Sequence, residues 1–162
     1  LAKHVERMGK EQKIVHRCAL PDWTSSGTFF APTLVEIDDI NALTEEQFGP
    51  ILHVVKFKSR HLDKMVDAVN GTGFGLTMGL HSRIDSRIAG VAANSGAGNL
   101  YVNRNMIGAV VGVQPFGGRG LSGTGPKAGG PHYVQRFGTE FTLSNNISAV
   151  GGNASLLTLG SD

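Results

Sequence analysis

Leu1, Val5 and Met8 recur at the spacing that lines one face of a helix, so the chain opens in helical conformation. No capping residue stands ahead of Leu1, which suggests a helix entered part-way along and a longer parent chain. Lys13 to Leu20 reads as a strand, followed by a Pro-Asp-Trp-Thr-Ser-Ser-Gly loop. Thr28 to Ile37 reads as extended, with Pro32 placing it at a sheet edge or turn. Ile51 to Lys58 is a continuous β-rich run, and Ser59 is the expected N-cap of the helix after it. In that helix Leu62, Met65, Val66 and Val69 form one apolar stripe, closed by an Asn70-Gly71 C-cap signal. Leu76 to Ser82 is a further strand, and Ser82 with Asp85 has the spacing of a capping box. Ile84, Ile88, Val91 and Ala92 make the next stripe, ended at Ser95-Gly96, and Asn99 to Asn103 is strand-like.

This order is β-α-β-α-β, which predicts an α/β fold with parallel strands and helices packed on the sheet. Beyond it lie a glycine-rich segment, a short helical stretch near 131–136, and a tail. Phe137, Thr139, Phe141 and Leu143 alternate there in strand fashion. The expected division is 1–136 for a catalytic-domain portion and 137–162 for a strand and C-terminal tail.

Composition narrows the function. With 162 residues, 40% hydrophobic and 17% charged, the chain can bury a core of ordinary size. No apolar run approaches the roughly 20 residues of a membrane span. A net charge of +2 with scattered Lys and Arg argues against nucleic acid as a partner. The single cysteine, Cys18, fits a reducing compartment such as the cytoplasm. Glycine is the outlier, with 23 residues in the chain, placed most densely between Gly108 and Gly130. Glycine serves where backbone turns with positive φ or approaches something closely, so function is expected in that segment.

Several motifs carry competing readings. Gly118-Arg119-Gly120-Leu121-Ser122-Gly123 fits G-x-G-x-x-G, but a dinucleotide loop must leave a strand and open a helix. Here it follows Gln114-Pro115-Phe116-Gly117, and a structural glycine loop is the better reading. Ser122 fails the nucleophile-elbow pattern because Thr124 stands where glycine is required. Cys18 would share a strand face with His16, yet Val15, Ala19 and Leu20 around it suggest ordinary packing. The six histidines show no zinc-ligand spacing, so no metal is expected. Glu45 and Glu46, ahead of Phe48-Gly49-Pro50, are either an exposed acidic loop or a polar contact beside an aromatic wall for a flat ligand.

Glu46-Gln47-Phe48-Gly49-Pro50 resembles the E-x-F-G-P signature of the aldehyde dehydrogenase superfamily, and Pro115-Phe116-Gly117-Gly118 with Leu121-Ser122-Gly123 resembles its P-F-G-G…S-G signature. The segment Gly98–Tyr133 and the closing Gly151–Leu159 are similar to the glutamate-semialdehyde dehydrogenase domain of the bifunctional, bacterial proline utilisation A family. The resemblance implies an NAD-dependent dehydrogenase that oxidises L-glutamate γ-semialdehyde, formed from pyrroline-5-carboxylate, in proline catabolism. It implies that Glu46 hydrogen-bonds the ribose beside the nicotinamide and that Phe48 packs near the nicotinamide ring. Gly108 and Ala109 would anchor the substrate carboxylate through backbone N–H groups, and Phe116 would flank the aliphatic stem. It places the nucleophilic cysteine and the general-base glutamate upstream of every residue matched, so the isolated chain is expected to be inactive. FAD is expected only in a proline dehydrogenase domain elsewhere in the parent polypeptide. The resemblance also implies that the tail strand joins an oligomerisation flap, and so a homo-oligomer. The alternatives are a non-catalytic scaffold of the same fold and an aldehyde dehydrogenase with a different substrate.

Overall fold

The computed structural model describes residues 1–110, 112–123 and 125–146. By contacts the chain divides into two units, Leu1–Pro131 and His132–Asp162.

The first unit begins with helix α1, Ala2–Glu11. Its apolar stripe buries Val5 and Met8, and His4 falls on the same face. Strand β1, Lys13–Arg17, pairs antiparallel with β2, Thr33–Ile37, and β2 pairs parallel with β3, Ile51–Val55. Along β2 the burial alternates strictly, with Thr33, Val35 and Ile37 on the inward face. That alternation is the period-2 signature of a sheet covered on one side. Met8, Val35 and Ile37 form the core, with Leu43, Ile51 and Val55 packed against it. Helix α1 thus closes the sheet face that carries β2.

Helix α2, Leu62–Gly71, is followed by the two-residue strand β4, Phe74–Gly75, and by β5, Thr77–Leu80. Helix α3, Asp85–Asn94, then leads to β6, Asn99–Val102, which pairs parallel with β5. Asn70 ties the helices together: its Nδ2 donates to Asn94 O at 2.8 Å and its Oδ1 accepts from Gly96 N at 2.8 Å. The glycine-rich segment adds β7, Arg119–Gly120, antiparallel to β4.

The α/β reading with parallel strand pairs holds, while the single βαβαβ sheet does not. β3 pairs with β2, and β5 and β6 form a sheet of their own. Periodicity reports elements and not partners, so the split was invisible in the pattern. Several boundaries also move. β1 ends at Arg17 and β3 at Val55, short of Leu20 and Lys58. β5 ends at Leu80, short of Ser82. The extended segment from Thr28 narrows to Thr33–Ile37, which is the central strand and not an edge. Pro32 is tolerated because it stands just before the strand, where its carbonyl accepts from Cys18 N.

The caps differ too. Ser59 begins a 3₁₀ turn, Ser59–His61, and does not cap α2. Ser82 Oγ accepts from Ile84 N at 3.1 Å, a local turn that leaves α3 without a side-chain cap. The left-handed residue after α2 is Gly73, at φ 78°, two places beyond the expected Asn70-Gly71 signal. Ser95-Gly96 does close α3.

In the second unit Val134–Phe137 forms a 3₁₀ turn, and 138–146 carries no strand. The alternation at Phe137–Leu143 therefore does not become a strand here. The sequence match at Gly151–Leu159 lies outside the described residues.

Candidate active-site segments

The loop Glu45–Pro50 enters β3 through a tight turn, in which Ile51 N donates to Gly49 O at 2.8 Å. Pro50 O accepts from Thr33 N at 2.9 Å, which pins the loop to the start of β2. Glu45, Glu46 and Gln47 line a cleft of about 260 Å³ together with Leu43, His53 and Phe74. Gln47 Nε2 donates to Glu45 Oε1 at 2.9 Å, so Glu45 is engaged within the loop. Glu46 has no hydrogen-bond or ionic partner among the described residues and is exposed. A carboxylate held open on a cleft wall can accept from a pair of vicinal hydroxyls. The Phe48 ring, 85% exposed, offers an open aromatic face on the same loop. It is not among the residues lining the Glu46 cleft.

Beneath this cleft lies a pair that sequence spacing did not expose. His4 Nε2 and His53 Nε2 are 2.9 Å apart, with the rings edge to face at 83°. One ring must donate and the other accept, so at least the accepting ring is neutral and the two cannot both be protonated. Burial lowers the pKa of each below its ordinary value. At His4 the Arg7 charge adds to this and Glu45 opposes it; at His53 the charge of His4 adds to it, followed by that of Arg7. The signal was present in separate places. His4 falls inside the stripe of α1, and His53 shares the alternation of Ile51 and Val55.

The glycine-rich segment is built as a strap. Asn99 Nδ2 donates to Pro115 O at 2.9 Å, and Asn99 Oδ1 accepts from Gly117 N at 3.2 Å. Lys127 Nζ donates to Gly98 O. Phe116 and Ala128 exchange both backbone hydrogen bonds, at 3.0 and 2.9 Å. Ser122 Oγ accepts from Gly75 N at 3.1 Å, a structural contact in place of any nucleophilic one. A Cβ on Gly98 would stand 1.8 Å from Gly117 O, so the strap needs glycine there for close approach. No helix opens on Gly118–Gly123, in keeping with a structural glycine loop.

Gly108 lies ahead of the strap in an exposed turn at φ 76°, with open space where a Cβ would go. Val110 N donates to Gln114 Oε1 at 3.2 Å, whereas the N–H groups of Gly108 and Ala109 find no acceptor among the described residues. Phe116 is half-buried and fixed by its backbone pairing. None of Gly108, Ala109 and Phe116 lines the cleft that holds Glu46.

Cys18 is exposed, contrary to ordinary packing, and shares an apolar cleft with His16, Pro32, Leu34 and Leu52. β1 is exposed along its whole length, so flanking apolar residues did not report burial. Among the described residues no group of His, Cys, Asp and Glu could hold a metal, and no helix is long and apolar enough to cross a membrane.

Comparison with known proteins follows the same segments. Residues 1–142 match the aldehyde dehydrogenase family model. The chain is 52% identical over 157 residues to the bifunctional protein PutA of Rhizobium meliloti, covering 97% of this chain and 13% of that protein. It is 43% identical over 112 residues to the 1-pyrroline-5-carboxylate dehydrogenase of Bacillus subtilis, covering 68% and 21%. Among solved structures, a Bradyrhizobium japonicum proline utilization A mutant superposes with a TM-score of 0.80 at 52% identity, over 91% of this chain and 15% of that one. The 1-pyrroline-5-carboxylate dehydrogenase from Thermus with bound NAD gives 0.73 at 36% identity, over 83% and 26%. The chain therefore spans a small part of each relative's length. On the extent of the family match and the identity to these relatives, the chain belongs to the aldehyde dehydrogenase family.

Proposed function

We propose that the polypeptide carrying this chain oxidises L-glutamate γ-semialdehyde, the open form of 1-pyrroline-5-carboxylate, to glutamate with NAD. The observation that carries this is the extended identity to PutA and to 1-pyrroline-5-carboxylate dehydrogenases. The NAD-bound Thermus relative supports the choice of cofactor. The residues here fit such a group: among the described residues Glu46 is an unpaired carboxylate on a cleft wall, and Phe48 on the same loop exposes its ring. When bound, NAD supplies the hydride acceptor.

This chain's own part is binding and orientation. Glu46 accepts hydrogen bonds from ribose hydroxyls, and Phe48 limits the positions open to the nicotinamide. The free N–H groups of Gly108 and Ala109 donate to the substrate carboxylate, which a side chain at Gly108 would obstruct. Phe116, held by its pairing with Ala128, packs on the methylene stem. The nucleophilic cysteine and general base come from the remainder of the polypeptide, whose cytoplasmic, homo-oligomeric form we infer from the same resemblance. Residues 137–162 contribute to subunit association in this reading.

The test is single-turnover hydride transfer in the complete polypeptide with Glu46→Gln. A charge-assisted hydrogen bond lost in the transition state slows the step about ten- to a hundredfold. Unchanged hydride transfer would remove Glu46 from the cofactor site.

A further inference from the structure

Helix α1 and its N-cap meet the segment 42–53 at three points, each about one turn further along the helix. A Cβ on Gly49 would collide with the Leu1 side chain, so Leu1 seats directly on the Gly49-Pro50 turn. His4 Nε2 lies 2.9 Å from His53 Nε2 in β3. Arg7 Nη2 donates to Ala42 O at 3.2 Å. Positions three apart share one side of a helix, and the loop that carries Glu46 and Phe48 runs between the Ala42 and Gly49 anchors.

Of these contacts only the histidine pair changes with protonation. Two rings that share a hydrogen bond lose it when both are protonated, because neither then offers an acceptor. Arg7 keeps its charge at any working pH, and the Leu1 side chain offers only apolar contact. His53 lines the Glu46 cleft, whereas His4 is buried and does not. Any influence of His4 on the cleft thus passes through His53.

The charges that face the pair come from α1 and from the loop. Arg7 and the amino group of Leu1 act on His4, the latter a charge that a preceding residue would remove, and Glu45 acts on it from the loop. Glu46 shares the cleft wall with His53. From β2, Val35 stands opposite His53. The cleft residues Val69, Thr72 and Phe74, from α2, its C-cap and β4, carry no titratable group. Burial first, then the neighbouring positive charges, keeps both rings below their ordinary 6.5. The contact is therefore intact at neutral pH and gives way as pH falls.

We propose that His4 and His53 are positioning residues for the cofactor loop: while they share their hydrogen bond, α1 holds Glu46 at its place on the cleft wall, and double protonation releases it. The inference rests on the reading of Glu46 as an acceptor for the ribose hydroxyls.

The experiment is calorimetric titration of the complete polypeptide with NAD at pH 7.5 and pH 5, which reads binding without turnover. The unmodified protein should bind about threefold to tenfold more weakly at the lower pH, the worth of one hydrogen bond. His4→Leu removes the contact and should bind more weakly by a similar factor at both pH values. His4→Gln keeps a hydrogen-bonding partner for His53 and cannot titrate. It should recover affinity relative to His4→Leu and lose most of the fall with pH, and it decides the matter should His4→Leu misfold. No fall in the unmodified protein, or an equal fall in His4→Gln, overturns the proposal. So does a His4→Leu protein that loses thermal stability yet keeps the unmodified affinity and pH profile. Glu46→Gln separates this inference from the reading beneath it. If that variant leaves NAD binding unchanged, the reading fails and the inference falls with it. If it weakens binding while His4→Gln retains the full pH response, the positioning role alone fails.

Discussion

Gly98 is the position where the geometry makes the largest demand on a single hydrogen atom. A Cβ placed there meets Gly117 O at 1.8 Å, Gly117 C at 2.9 Å and Gly118 Cα at 3.0 Å. Those atoms are backbone, so no side-chain rotation relieves the clash, and Gly98→Ala must push the strap away from β6 by well over an ångström. That displacement breaks the Asn99 contacts to Pro115 and Gly117 and the Lys127 contact to Gly98. At about 1 kcal/mol for each lost bond, the expected destabilisation is roughly 2–4 kcal/mol. Gly90 is the control: it lies within α3 with nothing inside 4 Å of its Cβ position. Gly90→Ala should stabilise by about 0.5–1 kcal/mol, because alanine is the better helix former. The assay is amide hydrogen exchange read by mass spectrometry, since local opening of the strap need not unfold the rest. In Gly98→Ala, peptides spanning 98–102 and 115–118 should exchange faster by one to three orders of magnitude. Protection equal to the unmodified protein would show that the strap does not pack as described.

Gly108→Leu adds bulk beside two free N–H groups and strains a φ of 76°. It should raise KM for glutamate semialdehyde steeply while sparing a simple aldehyde of similar length, and equal losses would mean the loop does not read a carboxylate. The His4–His53 pair predicts a pH effect of defined sign. Both pKa values are lowered below their ordinary 6.5 in the folded state, so its stability is complete above that value and declines as pH falls through it. Chemical denaturation at pH 7.5 and pH 5 should show the decline, and His53→Gln should flatten it. Assayed alone with NAD and glutamate semialdehyde, the 162-residue chain should form no NADH; turnover abolished by Cys18→Ser would place the nucleophile in this segment.

Helix positions were legible because α1, α2 and α3 each carry apolar residues along one helix face. Which strands pair was not legible, since β3 and β5 are both apolar runs and nothing local says that β3 seeks β2. Capping failed for a related reason. Ser82 offers its hydroxyl to Ile84 N before the helix starts, and only the local turn geometry decides between that contact and a cap. Glu46 and Phe48 could be named from a short motif because the loop is continuous in sequence. The histidine pair could not, because its partners stand 49 residues apart and meet only when α1 covers β3. The cleft lined by Arg83, Arg87 and Asn103 likewise forms only through the parallel pairing of β5 with β6.

The strap has one more consequence, for how such a site diversifies. From Pro115 to Ala128 it is fastened to β6 by Asn99 and to β4 by Ser122 and the β7 pairing. Among the described residues the stretch 104–109 is held more lightly, by Arg104 on its neighbour's carbonyl and against the Tyr101 ring, and by the Met106 side chain over Gly79. A gain or loss of residues there leaves the fastened portion in register. Phe116 would keep its place while the Gly108 and Ala109 amides, which we propose read the substrate carboxylate, move nearer or farther. A family member could in this way measure aldehydes of different chain length with one invariant wall and one adjustable end.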